Sequence, residues 1–257
     1  MKKLTVFALG LLLLAPVAAV ADTLQLRLGY FWPGAPTDFS RHPNSLWAIE
    51  FAQMSFTMED FRGSIMGIGY ERFLGQNLSV ALTLDSYSKS RLGFYLDFVG
   101  NEYDDGYYAF PYELYYGDDL LHAFKVSSTP LQLSFKLAPL GRKARLIPFV
   151  GGGAGLYFWS VRMYGEMVDQ AWPTTYPDEI LGDVTIYPVV GVNAKESGMA
   201  FGGHAFAGFQ IPIGYRATVE AEARYHWAKA RLNELFVGFD PFDLGGLALS
   251  LGFSYWF

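Results

Sequence analysis

The 257-residue sequence predicts an all-β protein, an eight-stranded antiparallel transmembrane up-and-down β-barrel with long loops at one end. Three observations carry this. Apolar residues alternate with small or polar ones in eight separate segments, and a period of two puts the two rows on opposite faces of a strand. The connections between segments alternate between long and short. Finally, 51% of the chain is hydrophobic and 18% aromatic. Yet beyond residue 21 there is no unbroken apolar run of the roughly 20 residues that a spanning helix needs. A barrel hides its apolar surface in this way, because only every second residue meets lipid.

The chain opens with a basic Met1-Lys2-Lys3, an apolar stretch from Leu4 to Leu14 and a small-residue site at Ala19-Val20-Ala21. These mark residues 1–21 as a cleaved export signal and leave 22–257 as one barrel domain. In the first strand Leu24, Leu26, Leu28, Tyr30 and Trp32 alternate with Gln25, Arg27 and Gly29. The second sets Met66, Ile68 and Tyr70 against Gly67, Gly69 and Glu71. A tight Gly75-Gln76-Asn77 turn leads to the third, where Leu78, Val80, Leu82 and Leu84 oppose Ser79, Ala81, Thr83 and Asp85. The fourth places Leu131, Leu133, Phe135 and Leu137 opposite Gln132, Ser134 and Lys136. The fifth, Pro148 to Trp159, is Gly-rich and ambiguous in facing, with Val150, Ala154, Leu156 and Phe158 expected outward. The sixth sets Phe201, Ala205, Ala207, Phe209 and Ile211 against Gly202, His204, Gly208 and Gln210. In the seventh, Ala217, Val219, Ala221, Ala223, Tyr225 and Trp227 face away from Thr218, Glu220, Glu222, Arg224 and His226. The eighth runs Leu247, Leu249, Leu251, Phe253, Tyr255, Phe257 on one parity and Ala248, Ser250, Gly252, Ser254 on the other.

Long connections span about 33–61, 89–121, 161–197 and 229–244, and short ones lie at 75–77, 139–145 and 214–215. Within the first long connection Trp47–Phe51 and Met54–Met58 also alternate. Residues 46–58 are therefore expected either to extend the second strand or to form an extra hairpin. The competing fold is a soluble barrel holding a ligand in its mouth, with the same two rows facing the opposite way. Aromatics at strand ends (Tyr30, Trp32, Tyr225, Trp227, Tyr255) favour the membrane, where amphipathic rings settle at the interface.

Three stretches carry a family resemblance: Leu28-Gly29-Tyr30-Phe31, the run from Pro148 to Gly155, and Phe253-Ser254-Tyr255-Trp256-Phe257. With these the chain resembles the OmpA-like and OmpW-like small outer-membrane β-barrels across its whole mature region. The resemblance implies a bacterial outer-membrane location, long loops outside and tight turns in the periplasm. It implies outer-membrane lipid and lipopolysaccharide as surroundings, a monomer, and insertion by the barrel-assembly machinery through the C-terminal Phe253, Tyr255 and Phe257. Members of the superfamily have unrelated jobs, so function does not follow from it.

An eight-stranded barrel is just wide enough for side chains to fill. Arg27, Lys136 and Arg224 are expected to meet Glu71, Asp85, Glu220 and Glu222 inside, beside the polar His204, Gln210 and His226. Buried charges of nearly balanced sign form a structural plug, or the same residues line a narrow pore for small or hydrophobic solutes. Barrel enzymes that modify lipid use Ser/His/Glu sets, but no serine lies within two residues of His226, and His226 shares the inward parity. No catalytic, metal or cofactor role is expected. Gly151-Gly152-Gly153-Ala154-Gly155 lacks the Lys-Ser/Thr ending of a phosphate loop, and His42 and His122 stand apart from any metal-ligand spacing.

Removing Lys2 and Lys3 from the 19 Lys and Arg leaves 17 against 25 acidic residues, a net charge near −8 that argues against nucleic acid. The absence of cysteine suits an exported chain. Between Tyr95 and Leu121 stand Asp97, Glu102, Asp104, Asp105, Glu113, Asp118 and Asp119 with no Lys or Arg, interleaved with Tyr103, Tyr107, Tyr108, Tyr112, Tyr115 and Tyr116. The third long connection adds Glu166, Asp169, Trp172, Asp178, Glu179 and Asp183. Such acidic, Tyr-rich loops form either a recognition surface for an extracellular ligand or a solvated, variable fringe. The expected role is structural or surface-interaction.

Overall fold

Alternation over 11 to 24 residues gives each strand two unlike faces, and a sheet with one face to hide closes on itself. In a computed structural model the barrel strands are β1 (Asp22–Pro33), β2 (Gly63–Phe73), β3 (Leu78–Phe94), β4 (Leu121–Leu137), β5 (Ile147–Val168), β6 (Val189–Pro212), β7 (Ala217–Ala230) and β8 (Gly246–Trp256), with only short pairings outside them among the described residues. The structure describes residues 22–96, 102–103, 107–108, 120–169, 171–178, 182–186, 189–232 and 234–257. The expected export signal at 1–21 lies outside them, as does most of the acidic, Tyr-rich stretch. Each strand pairs antiparallel with its sequence neighbour, and β8 returns to β1 from Thr23↔Trp256 to Pro33↔Gly246. The eight-stranded antiparallel barrel is therefore closed.

Following partners once around from Asp22 passes through Arg72, Val80, Phe135, Gly152, Ala205, Tyr225 and Leu247, and returns to β1 at Trp32. The chain has advanced from position 22 to position 32. A stagger of this size in eight strands tilts them by about 40°.

The closed ring also settles which row faces which way. Leu26, Leu28, Phe201 and Leu251 are 56%, 69%, 75% and 67% exposed, whereas the Glu, Asp, Lys and Arg of the other parity are buried. This is the reverse of the soluble barrel. In β5, Val150 and Phe158 point out while Phe149, Tyr157 and Trp159 are buried, as expected.

The strands differ in length. β1, β2 and β8 end near the apolar belt, but β3 to β6 run 17, 17, 22 and 24 residues and rise past it on the loop side. There the alternation inverts. Outward positions become Ser86, Ser88, Lys125, Ser127, Ser160 and Arg162, and inward ones become buried Tyr87, Phe124, Val126, Val161 and Met163. The predicted strands stop short because their signal is an apolar outward row, and that row ends with the belt while the ladder continues.

Residues 46–58 neither extend the second strand nor form a hairpin: α1 (Ala35–Arg41) precedes them, α2 (Leu46–Ala52) opens them and a 3₁₀ turn (Met58–Phe61) begins at their end. Ser45 caps α2, its Oγ accepting from the Ala48 N–H at 3.2 Å. Trp47 and Phe51 lie four apart, share one helix face and are buried, while Ile49 between them is exposed. A period-two reading groups all three. Met54 alone makes an isolated bridge, to Tyr95.

Glycines let the ring close tightly where β4 and β5 meet. A Cβ on Gly153 would collide with the Leu133 carbonyl oxygen, whereas one on Gly203 would meet the Gly153 oxygen at an ordinary 3.5 Å. We expect Gly153→Ala to lower stability by about 1–3 kcal/mol and Gly203→Ala to stay within about 0.5 kcal/mol of the parent. Urea unfolding of the refolded protein in detergent micelles measures both.

Candidate functional site

Inside the belt, strands from all around the ring aim charged side chains at the axis. The seven predicted ionisable residues converge there, and none of their side chains is more than 7% exposed. They form two tiers. In the tier nearer the turns, Lys136 of β4 bridges Glu71 of β2 at 3.2 Å and Glu220 of β7 at 3.0 Å, with its ammonium 4.0 Å from the centre of the Phe149 ring. Gln25 donates to Glu71 at 2.6 Å, Ser79 donates to the other Glu71 oxygen, and Gln210 donates to Glu220 at 2.6 Å. One cation faces two carboxylates, so neutral donors complete their hydrogen bonding.

The middle tier centres on Glu222. Its Oε1 accepts from Arg27 at 3.0 Å and from Arg224 Nε at 2.8 Å, and Oε2 accepts from Arg224 Nη2 at 3.2 Å. Arg27 reaches on to Asp85 at 2.7 Å. Arg224 donates to Gln132 Oε1 at 2.6 Å and to Thr83 at 3.2 Å, and lies over the Phe206 ring. Every charge in this tier touches its opposite, which the interior of a narrow barrel requires.

Gln132 links this tier to the histidines. Its amide nitrogen donates to the Tyr157 hydroxyl and to His226 Nδ1, both at 3.0 Å, and Tyr157 donates to the Gly203 carbonyl at 3.1 Å. His204 lies 6.5 Å from His226 between ring centres, and its Nε2 is 2.7 Å from Ser134 Oγ. A search of the sequence near His226 could not find this serine, because it arrives from β4 across the barrel. Among the described residues the pair lacks a third member: His204 Nδ1 meets no partner there, and both residues are buried. Gln25, Thr83, Gln132 and Tyr157 complete the network, although the sequence singled out only the charges and His204, Gln210 and His226. Their inward parity was the available signal.

Two small cavities lie inside the barrel among the described residues. A cavity of about 10 Å³ lies among Arg27, Asp85, Glu222, Arg224 and His226, and a second of about 10 Å³ among Phe31, Ile65, Tyr87, Tyr157 and His226. Each is at the lower limit for one water. Above them the connection between β1 and β2, which carries α1 and α2, folds into the mouth. Trp47 is 1% exposed, packs on Phe124, Phe239 and Phe242 with ring centres 5.8, 4.5 and 5.2 Å away, and donates to the Asp240 carbonyl at 2.7 Å. Tyr87 donates to the Phe61 carbonyl and ties the 3₁₀ turn to β3. At the rim of this cap, the Thr57 backbone N–H holds the Asp60 carboxyl below the usual carboxylate range.

At the closing seam, Phe253 pairs with Leu26 and Val219, Tyr255 with Leu24 and Ala217, and Phe257 exchanges backbone hydrogen bonds with Asp22 at 3.0 and 3.2 Å. All three aromatic side chains face outward. Among the described residues no group of His, Asp and Glu is arranged to hold a metal ion.

Because Glu222 answers two guanidinium groups, Glu222→Leu leaves both buried with incomplete compensation. We expect a loss of about 3–5 kcal/mol in urea unfolding. Restoring apolar balance with Glu222→Leu/Arg224→Met should recover part of it, and a double variant no more stable than the single would contradict this wiring.

No protein-family model and no curated protein matches this sequence. Several solved structures resemble it in outline. The N-terminal β-barrel domain of Pseudomonas aeruginosa OprF is 11% identical, with a TM-score of 0.41 over 92% of this chain and 97% of that one. Neisserial surface protein A is 12% identical, with a TM-score of 0.44 over 92% and 97%. A major outer membrane protein from Thermus thermophilus is 12% identical, with a TM-score of 0.47 over 93% and 100%. The chain is similar to these small outer-membrane β-barrels, and its assignment as a closed eight-stranded barrel rests on its own ladders.

Proposed function

We propose that the protein is an integral outer-membrane barrel with a structural or surface-interaction role, its interior a permanent plug. The observation that carries this is the inversion of its faces. A continuous Leu/Phe belt surrounds charged residues in the lower barrel, and above it an apolar interior sits behind a Ser/Lys/Arg exterior. A lipid layer at the belt with water above it accounts for both halves; a wholly aqueous setting leaves the belt bare. Leu24, Leu26, Leu28 and Tyr30 supply one side of it, and Leu247, Leu249 and Leu251 the neighbouring strand. In this reading the protein works as a monomer among outer-membrane lipid and lipopolysaccharide. The export signal delivers it, and the barrel-assembly machinery inserts it using Phe253, Tyr255 and Phe257. The long strands β3–β6 carry the loops above the membrane, where an extracellular ligand is met.

The plug is favoured over a narrow pore because two independent seals lie in series: the ion-paired tiers and the Trp47 cap. A lipid-modifying activity is disfavoured because Ser134 and His204 are buried inside the barrel among the ionic tiers, away from the lipid-facing side. Two measurements test the proposal. Refolded protein should migrate differently on gels before and after heating, as a closed barrel does. In planar bilayers, well-folded protein should give no reproducible conductance, and Trp47→Ala should stay silent because the ionic tiers remain. Regular steps from the parent protein would replace the plug with the pore.

A further inference from the structure

We propose that the turn end of the barrel is a docking rim for anionic phospholipid headgroups in the leaflet on that side, an inference that rests on the membrane reading above. Charge is segregated along the axis. The short turns carry Arg142, Lys143, Arg145 and Arg216, and among the described side chains outside the barrel at this end Asp22 supplies the sole carboxylate; it accepts from the Tyr70 hydroxyl at 2.6 Å. None of the four cations makes an ion pair among the described residues. Arg142 is nonetheless held in place: its guanidinium stacks 3.7 Å from the centre of the Phe73 ring, and Nη2 donates to the Gly75 carbonyl at 3.0 Å. It lines a cavity of about 230 Å³ with Gln76, Leu140, Lys143 and Trp256.

The apolar neighbours decide which anion fits. Leu74, Leu140, Leu146, Ile213 and Tyr215 are 59%, 66%, 51%, 50% and 101% exposed in the same turns. Cations interleaved with bare aliphatic and aromatic side chains, continuous with the apolar belt, suit a headgroup layer, where the phosphate and the first methylenes are offered together. A soluble phosphate compound would use the charges and leave the leucines in water.

The test reconstitutes the full barrel in phosphatidylcholine vesicles and measures, by electron spin resonance, the fraction of spin-labelled phosphatidylglycerol or phosphatidylcholine held at the protein surface. Heat-dependent gel migration reports insertion independently. We expect phosphatidylglycerol to be favoured at least about twofold. The preference should fall towards unity in Lys143→Gln/Arg145→Gln/Arg216→Gln and in high salt, and persist in Arg62→Gln at the other end. Inorganic phosphate should compete no better than chloride of equal ionic strength. An inserted barrel with no preference overturns the docking rim and leaves the membrane reading standing. Competition by phosphate reassigns the rim to a soluble anion. Failure to insert overturns both readings. The salt series on the parent protein decides the matter even where the triple variant does not fold.

Discussion

Glu222 is held between two guanidinium groups, from Arg27 on β1 and from Arg224 two residues along its own strand. A carboxylate in so narrow a space is largely removed from bulk water, so its charge must be met by groups fixed within the barrel. Arg27 passes the requirement to Asp85 on β3, and Arg224 passes it to Gln132 on β4. The network therefore crosses the barrel axis and cross-links strands that share no backbone ladder. Register is fixed twice, once by the hydrogen-bonded ring and once by this core. A slip of one residue in β1, β2, β3, β4 or β7 would send its inward charge into the apolar belt and an apolar side chain into the ionic tiers.

The two interior layers are built from opposite chemistry because they lie at different depths. Within the belt the interior can be polar, since the hydrophobic surface is spent on the outside. Above the belt the outer face must be wet, and the apolar residues turn inward around Trp47 and Phe124. The helices at 35–52 exist to supply that inward filling. Long loops that pack as a core keep their conformation without disulfides, which suits a chain with no cysteine.

Much of this was legible in the residues. Period-two alternation located all eight strands and named the seven charges inside the belt, though not Glu196, which is buried higher on β6 in what read as a long connection; the even count with alternating connections implied closure. Three things were hidden. The strand extensions past Leu84 and Phe158 carry alternation of the opposite sense, so a rule that looks for apolar outward positions ends there. The helix at 46–52 had its N-cap serine and its Trp47–Phe51 spacing in view, but short apolar runs satisfy both periods. The pairing of Ser134 with His204 and of Gln132 with His226 joins residues 70 and 94 positions apart. Only the ring's stagger brings them together, and it cannot be read from one strand at a time.

The unequal strands leave a record of where this architecture accepts change. At the turn end three tight connections and a shared register bind every strand to its neighbours, and the ring there has one admissible length. At the other end β5 leaves β4 after His122↔Gly165, and its ladder with β6 continues from Glu166↔Gly191 to Val168↔Val189. Such a hairpin grows or shrinks in steps of two residues without disturbing any inward position below. Descendants of this chain can thus diversify by adding paired increments at one rim, as a column gains height without altering its footing.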